Sequence, residues 1–179
     1  MRSSRGTGRD LSREYLEGIK KIDIEKPEDA QVIIGHAGFI KTVEDLYEAM
    51  ISAVPGIKFG VAFCEASGPR LIRSDGNDDA LRSLCEKNID AVGAGHSFII
   101  IFSGAYPINV IRHIRSVPEV VCIYCATANK VSVLVYQDGT GRGIIGIIDG
   151  ESPLGKESEE ERTKRIRFLR EIGYKRGIL

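Results

Sequence analysis

Five apolar side chains follow one another without a break between His96 and Ser103 (HSFIIIFS). A strand with one wet face alternates apolar and polar residues. An unbroken run of this length is the pattern of a strand covered on both faces. Such a strand needs packing layers above and below it, so the rest of the chain is read for what can supply them.

Short apolar strands and helical segments interleave along the sequence. Lys20–Glu25 alternates and reads as a strand that Pro27 ends, and Gln31–Ala37 as a second. Thr42 followed by Val43-Glu44-Asp45 has the form of a helix start, with a hydroxyl cap and acids in the first turn. Val43, Leu46, Tyr47, Met50 and Val54 then recur at helical spacing until Pro55-Gly56. Ile57–Glu65 is a third strand and Arg70–Arg73 a fourth. Asn77 or Asp78 caps a helix that buries Leu81, Leu84, Cys85 and Ile89 and ends at Gly93-Ala94-Gly95. After the 96–103 strand, Pro107 opens a helix through Ser116. Val120–Ala126 reads as another buried strand, Val131–Gln137 as a mostly apolar one and Gly143–Asp149 as the last. Ser158–Gly173 is an amphipathic helix with Ile166, Leu169 and Ile172 on one side. Strands come in consecutive pairs near the start, at 57–73 and at 119–149. The expected fold is therefore α+β, a mixed sheet flanked by helices, rather than a regular doubly wound sheet. Residues 1–19 are expected to be an N-terminal extension, partly disordered, with 11–19 able to form a short helix. Residues 20–179 are expected to form a single αβ domain.

Twenty-five basic and 25 acidic residues give a formal net charge of zero. A dedicated nucleic-acid binder needs a basic excess, so that class is excluded, whereas a small anion needs only a local cluster. No apolar run approaches the ~20 residues of a membrane helix. Four cysteines, mostly in apolar segments, do not form the pattern of a disulfide scaffold and point to a cytoplasmic setting.

Several apolar strands end in polar residues beside small ones, as strands do when a loop beyond a sheet carries chemistry. The 57–65 strand delivers Cys64, Glu65 and Ser67 before Gly68-Pro69. The 120–126 strand leads to Thr127 and Asn129, and the last strand ends at Asp149. Three such ends, if they converge, make a pocket. Lys41 stands at a helix start, where free N–H groups, the helix dipole and an ammonium together suit a phosphate. Arg70 and Arg73 are three apart on a strand, so at most one faces a given site. His36 and His96 adjoin glycines at strand ends and can bond a ligand or act as a base; His113 reads as surface. Gly141–Gly146 matches G-x-G-x-x-G but runs into a strand, where a dinucleotide fingerprint needs a helix. Cys122 and Cys125 form a CxxC within a strand, which points the two thiols to opposite faces. There is no P-loop sequence.

Long contiguous segments then resemble one family: VIIG (32–35), FIKTVEDLYEA (39–49), VPGIKFGVAFCEASGPRLIR (54–73), GND (76–78), GAGHSFII (93–100), PINV (107–110), VPEV (117–120), IYCATAN (123–129), GRGIIGIIDG (141–150) and IGYK (172–175). Over roughly Ile22–Tyr174 the chain is similar to the small archaeal and bacterial adenosine-specific kinases. The resemblance implies a strongly curved, barrel-like sheet, a homotrimer, and binding of adenosine or AMP. If the protein is catalytic, it implies phosphoryl transfer from ATP with Mg²⁺. Combined with the strand-end pattern, it makes His96, Asp149 and Glu65 the candidate catalytic groups. Lys41, Ser67, Arg70, Asn77, Asp78, Thr127 and Asn129 become candidate substrate contacts, and no residue is assigned as a ligand to a resident metal. Two positions depart from the family pattern. Gly38 stands where a histidine is usual, with His36 where glutamine is usual, so that histidine's role passes to His36 or is lost. Lys130 replaces a common proline. Three function classes follow: a nucleoside kinase, a non-catalytic adenine-nucleotide binder or sensor, and an oligomeric module whose pocket is incidental.

Overall fold

In the computed structural model, which describes residues 18–174, the 96–103 run becomes the middle strand of a five-stranded sheet. The elements in chain order are β1 (Ile19–Asp23), β2 (Gln31–Ala37), α1 (Thr42–Ala53), β3 (Lys58–Cys64), β4 (Ile72–Gly76), α2 (Asp79–Val92), β5 (Ser97–Ser103), α3 (Pro107–Ser116), β6 (Val120–Thr127), β7 (Val131–Asp138), β8 (Gly141–Asp149) and α4 (Glu159–Glu171). The expectations for residues 1–17 lie outside the described residues.

The central sheet has the order β4-β3-β5-β2-β6, and a smaller sheet has the order β1-β7-β8. Phe98, Ile100 and Phe102 of β5 face α1 and α3, where they join Phe59, Phe63, Leu46, Met50, Val110 and Ile114. Ile99 and Ile101 face the other way, against Leu81, Cys85 and Ile89 of α2 and Val131, Val133 and Val135 of β7. Both faces of β5 are thus covered, as its composition requires, by helices on one side and by a helix and a sheet on the other.

Every strand pairing is antiparallel, which corrects the expected mixed sheet. β2 and β3 run the same way, but β5 is inserted between them, so no two parallel strands become neighbours. The sheet does not close into a barrel either: β4 and β6 are its two edges. β6 is consequently an edge strand rather than a buried one, with Val121 and Tyr124 exposed.

Two local features explain how α2 sits where it does. Asp78 is its N-cap, accepting from the N–H groups of Ala80 at 3.1 Å and Leu81 at 3.0 Å. Gly93 ends it in the left-handed region at φ 59°, donating its N–H to Ile89 O at 2.8 Å. The helix rests directly on β3 at Gly60, where a Cβ would stand 2.3 Å from the backbone nitrogen of Arg82. Only glycine permits that approach.

Candidate functional site

Antiparallel pairing decides which polar strand ends can meet. The end of β3 (Cys64, Glu65) lies beside the starts of β5 and β6 and the end of β2. Backbone hydrogen bonds stitch these segments into one rim. Ala37 N–H donates to His96 O at 2.8 Å, His96 N–H to Cys64 O at 2.8 Å, and Gly38 N–H to Glu119 O at 2.9 Å.

His96 occupies the middle of the rim with φ 61°, a left-handed conformation that costs a non-glycine residue about 1–2 kcal/mol. Its backbone N–H and C=O are both bonded, and its ring is held between two others. It lies 6.0 Å from Phe63, nearly parallel, and 5.8 Å from His36, nearly perpendicular. Strain retained by so many contacts is a mark of functional sites. His36 is half-buried, and burial, with a smaller effect from His96, pushes its imidazole below the ordinary value.

Lys41 stands where α1 begins. It takes the N-cap position itself, without a side-chain cap bond. Thr42, expected as the cap, is buried and donates its hydroxyl to Phe39 O. The helix start therefore keeps amides without a side-chain acceptor, as an anion site needs. The Lys41 ammonium contacts the carboxylates of Asp45 and Glu119, which raise its pKa, Asp45 first. Asp45 is held below the usual carboxylate range by Lys41. Of the three donors a lysine carries, these partners engage two.

Glu65 is committed to its own loop. It accepts from Leu71 N–H at 3.0 Å and from Arg73 at 2.8 and 3.1 Å. The Leu71 amide, then the Arg73 guanidinium, lowers its pKa. Its side chain is 9% exposed. Ser67 and Arg70 lie on the exposed turn beyond it, Arg70 at φ 54°. This loop walls a cavity of about 610 Å³, closed on the far side by Gly93, Gly95 and Arg142. Arg142 donates to Ala91 O at 3.1 Å at the end of α2. The volume is in the range of small-ligand sites.

The other polar ends lie elsewhere. Val120 pairs with Ala37 at the rim, whereas Thr127 pairs with Val32. Eight residues of strand separate Glu119 from Thr127, on the order of 25 Å. Thr127 Oγ1 accepts the Asn129 N–H at 3.1 Å, and Asn129 donates to Asp149 at 2.9 Å. This cluster is at the far end of the sheet, as is a cavity of about 900 Å³ lined by Lys21, Lys26 and Lys130. The expected meeting of the 57–65, 119–126 and 143–149 strand ends does not occur within one chain. In a parallel sheet those ends would share an edge; here alternate strands point opposite ways. Asn77 is also at the far end, accepting from Phe59 N–H at 3.0 Å and donating to Ile57 O at 2.8 Å. With Asp78 capping α2, both side chains have structural partners in place of the expected ligand contacts.

Glu119, Asp45, Asp90 and Arg142 border the rim or its cavity and were not among the expected site residues. The signal for Glu119 was present in VPEV, a lone acid between a proline and an apolar strand. The remaining motifs behave as their context dictates. Gly141–Gly146 is strand, Cys122 is exposed and Cys125 buried, and His113 is exposed. Among the described residues no three His, Cys, Asp or Glu side chains gather as a metal site, and no helix is long and apolar enough to cross a membrane.

A search of curated proteins found no match. Among solved structures, the crystal structure of PH1918 protein from Pyrococcus horikoshii OT3 is similar at 46% identity, with a TM-score of 0.85, covering 89% of this chain and 98% of that one. The family model described as adenosine specific kinase matches residues 22–175, a span that includes every segment of the rim. On that match the chain belongs to the adenosine-specific kinase family.

Proposed function

We propose that the rim around His96 and Lys41 binds adenosine or AMP and transfers a phosphoryl group between ATP and adenosine. The observation that carries this reading is Lys41 at a helix start without a side-chain cap, tied by its ion pair with Glu119 to the rim that also holds a strained histidine, in a chain of this family. Phosphoryl transfer relies on positioning and on cations that offset phosphate charge. Lys41 supplies one such cation and Arg70 a second, at the mouth of the cavity. His96 orients the attacking hydroxyl, and Ser67 bonds the nucleoside. Mg²⁺ would arrive with the ATP phosphates, since that ion is commonly held by substrate phosphates and few protein groups. Glu65, through its hold on Leu71 and Arg73, positions the loop. Thr127, Asn129 and Asp149 reach such a site only from a neighbouring copy, and we include a cytoplasmic homotrimer in the proposal.

A non-catalytic binder is the second reading. It is favoured by the missing P-loop and by Gly38, where the family histidine is absent. Incubating the protein with adenosine and ATP–Mg²⁺ separates the two. ADP and AMP appearing in equal amounts support the kinase; adenosine binding without turnover supports the binder.

A further inference from the structure

Arg142 stands at the start of β8 and reaches across to the end of α2. Its Nε donates to Gln137 Oε1 at 3.2 Å and its Nη1 to Ala91 O at 3.1 Å. Gly93 leaves room for this approach, since a Cβ there would stand 2.8 Å from Nη1. A guanidinium carries five N–H donors. These bonds leave the two on Nη2 without an acceptor among the described residues. The same residue lines the cavity of about 610 Å³.

The charges around that cavity are unevenly paired. Glu65 is taken up by Arg73 and the Leu71 amide. Among the described residues, Arg70 and Arg142 have no carboxylate partner and Asp90 has no cationic one. Guanidiniums suit phosphate oxygens, which they hold through paired N–H groups. A lone carboxylate beside them would repel a bare anion. It suits the Mg²⁺ that a polyphosphate carries, an ion held by substrate phosphates and one or two carboxylates. The chain has no P-loop, so a polyphosphate has to be met by side-chain cations of this kind. The cavity also touches the rim. Cys64 lines it and accepts the His96 N–H, and Gly95, the residue before His96, lines it too.

We infer that this cavity holds the polyphosphate of a magnesium–nucleotide, with Arg142 and Arg70 on the phosphates and Asp90 facing the ion. Its role as the donor site rests on the function proposed above, with the nucleoside at the rim and ATP in the adjoining cavity. A purely structural Arg142 would cap the last carbonyls of α2 and would have no connection with Arg70 or Asp90.

The test is calorimetric titration of the full chain with ATP, with and without Mg²⁺, and with adenosine. The variants are Arg142→Gln, Arg70→Gln and Asp90→Asn, each first checked for an intact thermal transition. Arg70 and Asp90 are exposed, so their variants carry the test if Arg142→Gln fails to fold. The native protein should bind ATP–Mg²⁺, and saturating adenosine should not displace it. Either arginine variant should weaken ATP–Mg²⁺ about tenfold or more, with adenosine unchanged. Asp90→Asn should weaken ATP–Mg²⁺ yet tighten ATP alone, a reversal that a structural role would not give. Arginine variants that bind ATP–Mg²⁺ as the native protein does overturn the inference, as do variants that weaken adenosine equally. Displacement of ATP–Mg²⁺ by adenosine overturns it too, because one site would then serve both. An Asp90→Asn variant without the reversal overturns the ion's place. A native protein that binds adenosine but not ATP–Mg²⁺ refutes the donor cavity and leaves the non-catalytic binder. One that binds ATP–Mg²⁺ with the expected variant effects, but no adenosine, upholds the cavity and refutes the nucleoside rim.

Discussion

His36 shows what a single side chain can report about the rim. Burial and the nearby His96 hold its pKa below the ordinary value near 6.5. The unfolded chain therefore takes up the proton at higher pH than the folded one. Its contribution to stability is complete above about pH 6.5 and is lost as pH falls through the lowered folded value. Urea unfolding of the native chain should show a midpoint that declines between pH 7 and pH 5. In His36→Gln, which installs the residue usual in the family, the decline should be shallower. Parallel curves for the two proteins would mean that His36 is not held neutral. His36 and His96 were both legible as candidates because each adjoins a glycine at a strand end. The left-handed backbone of His96 was not, since it arises from the hydrogen bonds to Cys64 and Ala37, which are distant in sequence. Glu119 escaped for the same reason: an acid after a proline is ordinary until its neighbours are known to bury it.

At the level of elements, most strands and helices were legible because their apolar periods are local. β2, α1, β5 and α3 begin or end within a residue or two of the expected positions. Strand direction was not legible, because it depends on which strand is inserted between which. That omission moved Thr127, Asn129 and Asp149 away from Glu65, a consequence no single segment could reveal. α4 has the expected amphipathic spacing, yet none of its residues is buried. Phe168 and Ile172 are exposed, as are Val121 on the β6 edge and Ile145 and Ile148 on β8. An apolar edge strand left open invites pairing with another chain. The proposed trimer should cover these surfaces. Sedimentation equilibrium at micromolar concentration should give three chains of 19.6 kDa each. A chain ending at Gly155, without α4, should fall toward a single-chain mass. A full-length protein at single-chain mass would rule out the trimer.

At the scale of the whole molecule, one end of the central sheet is the proposed ligand end. There His96, Glu119 and the Glu65 loop are joined through backbone bonds and Lys41 through its ion pair with Glu119, beside a cavity of about 610 Å³. The opposite end carries Asn77, Thr127, Asn129 and Asp149, whose side chains serve turns, caps and one another. Lys41 is the residue on which this assignment turns, because only it offers an ammonium at the start of α1. Calorimetric titration of the native protein and of Lys41→Ala with adenosine and AMP tests it most directly. The native protein should bind both ligands. Lys41→Ala should weaken AMP by about tenfold or more, as loss of a charge-assisted contact implies, while adenosine changes little. Equal weakening of both ligands, or no change in either, would contradict it and move the phosphate site away from this end of the sheet.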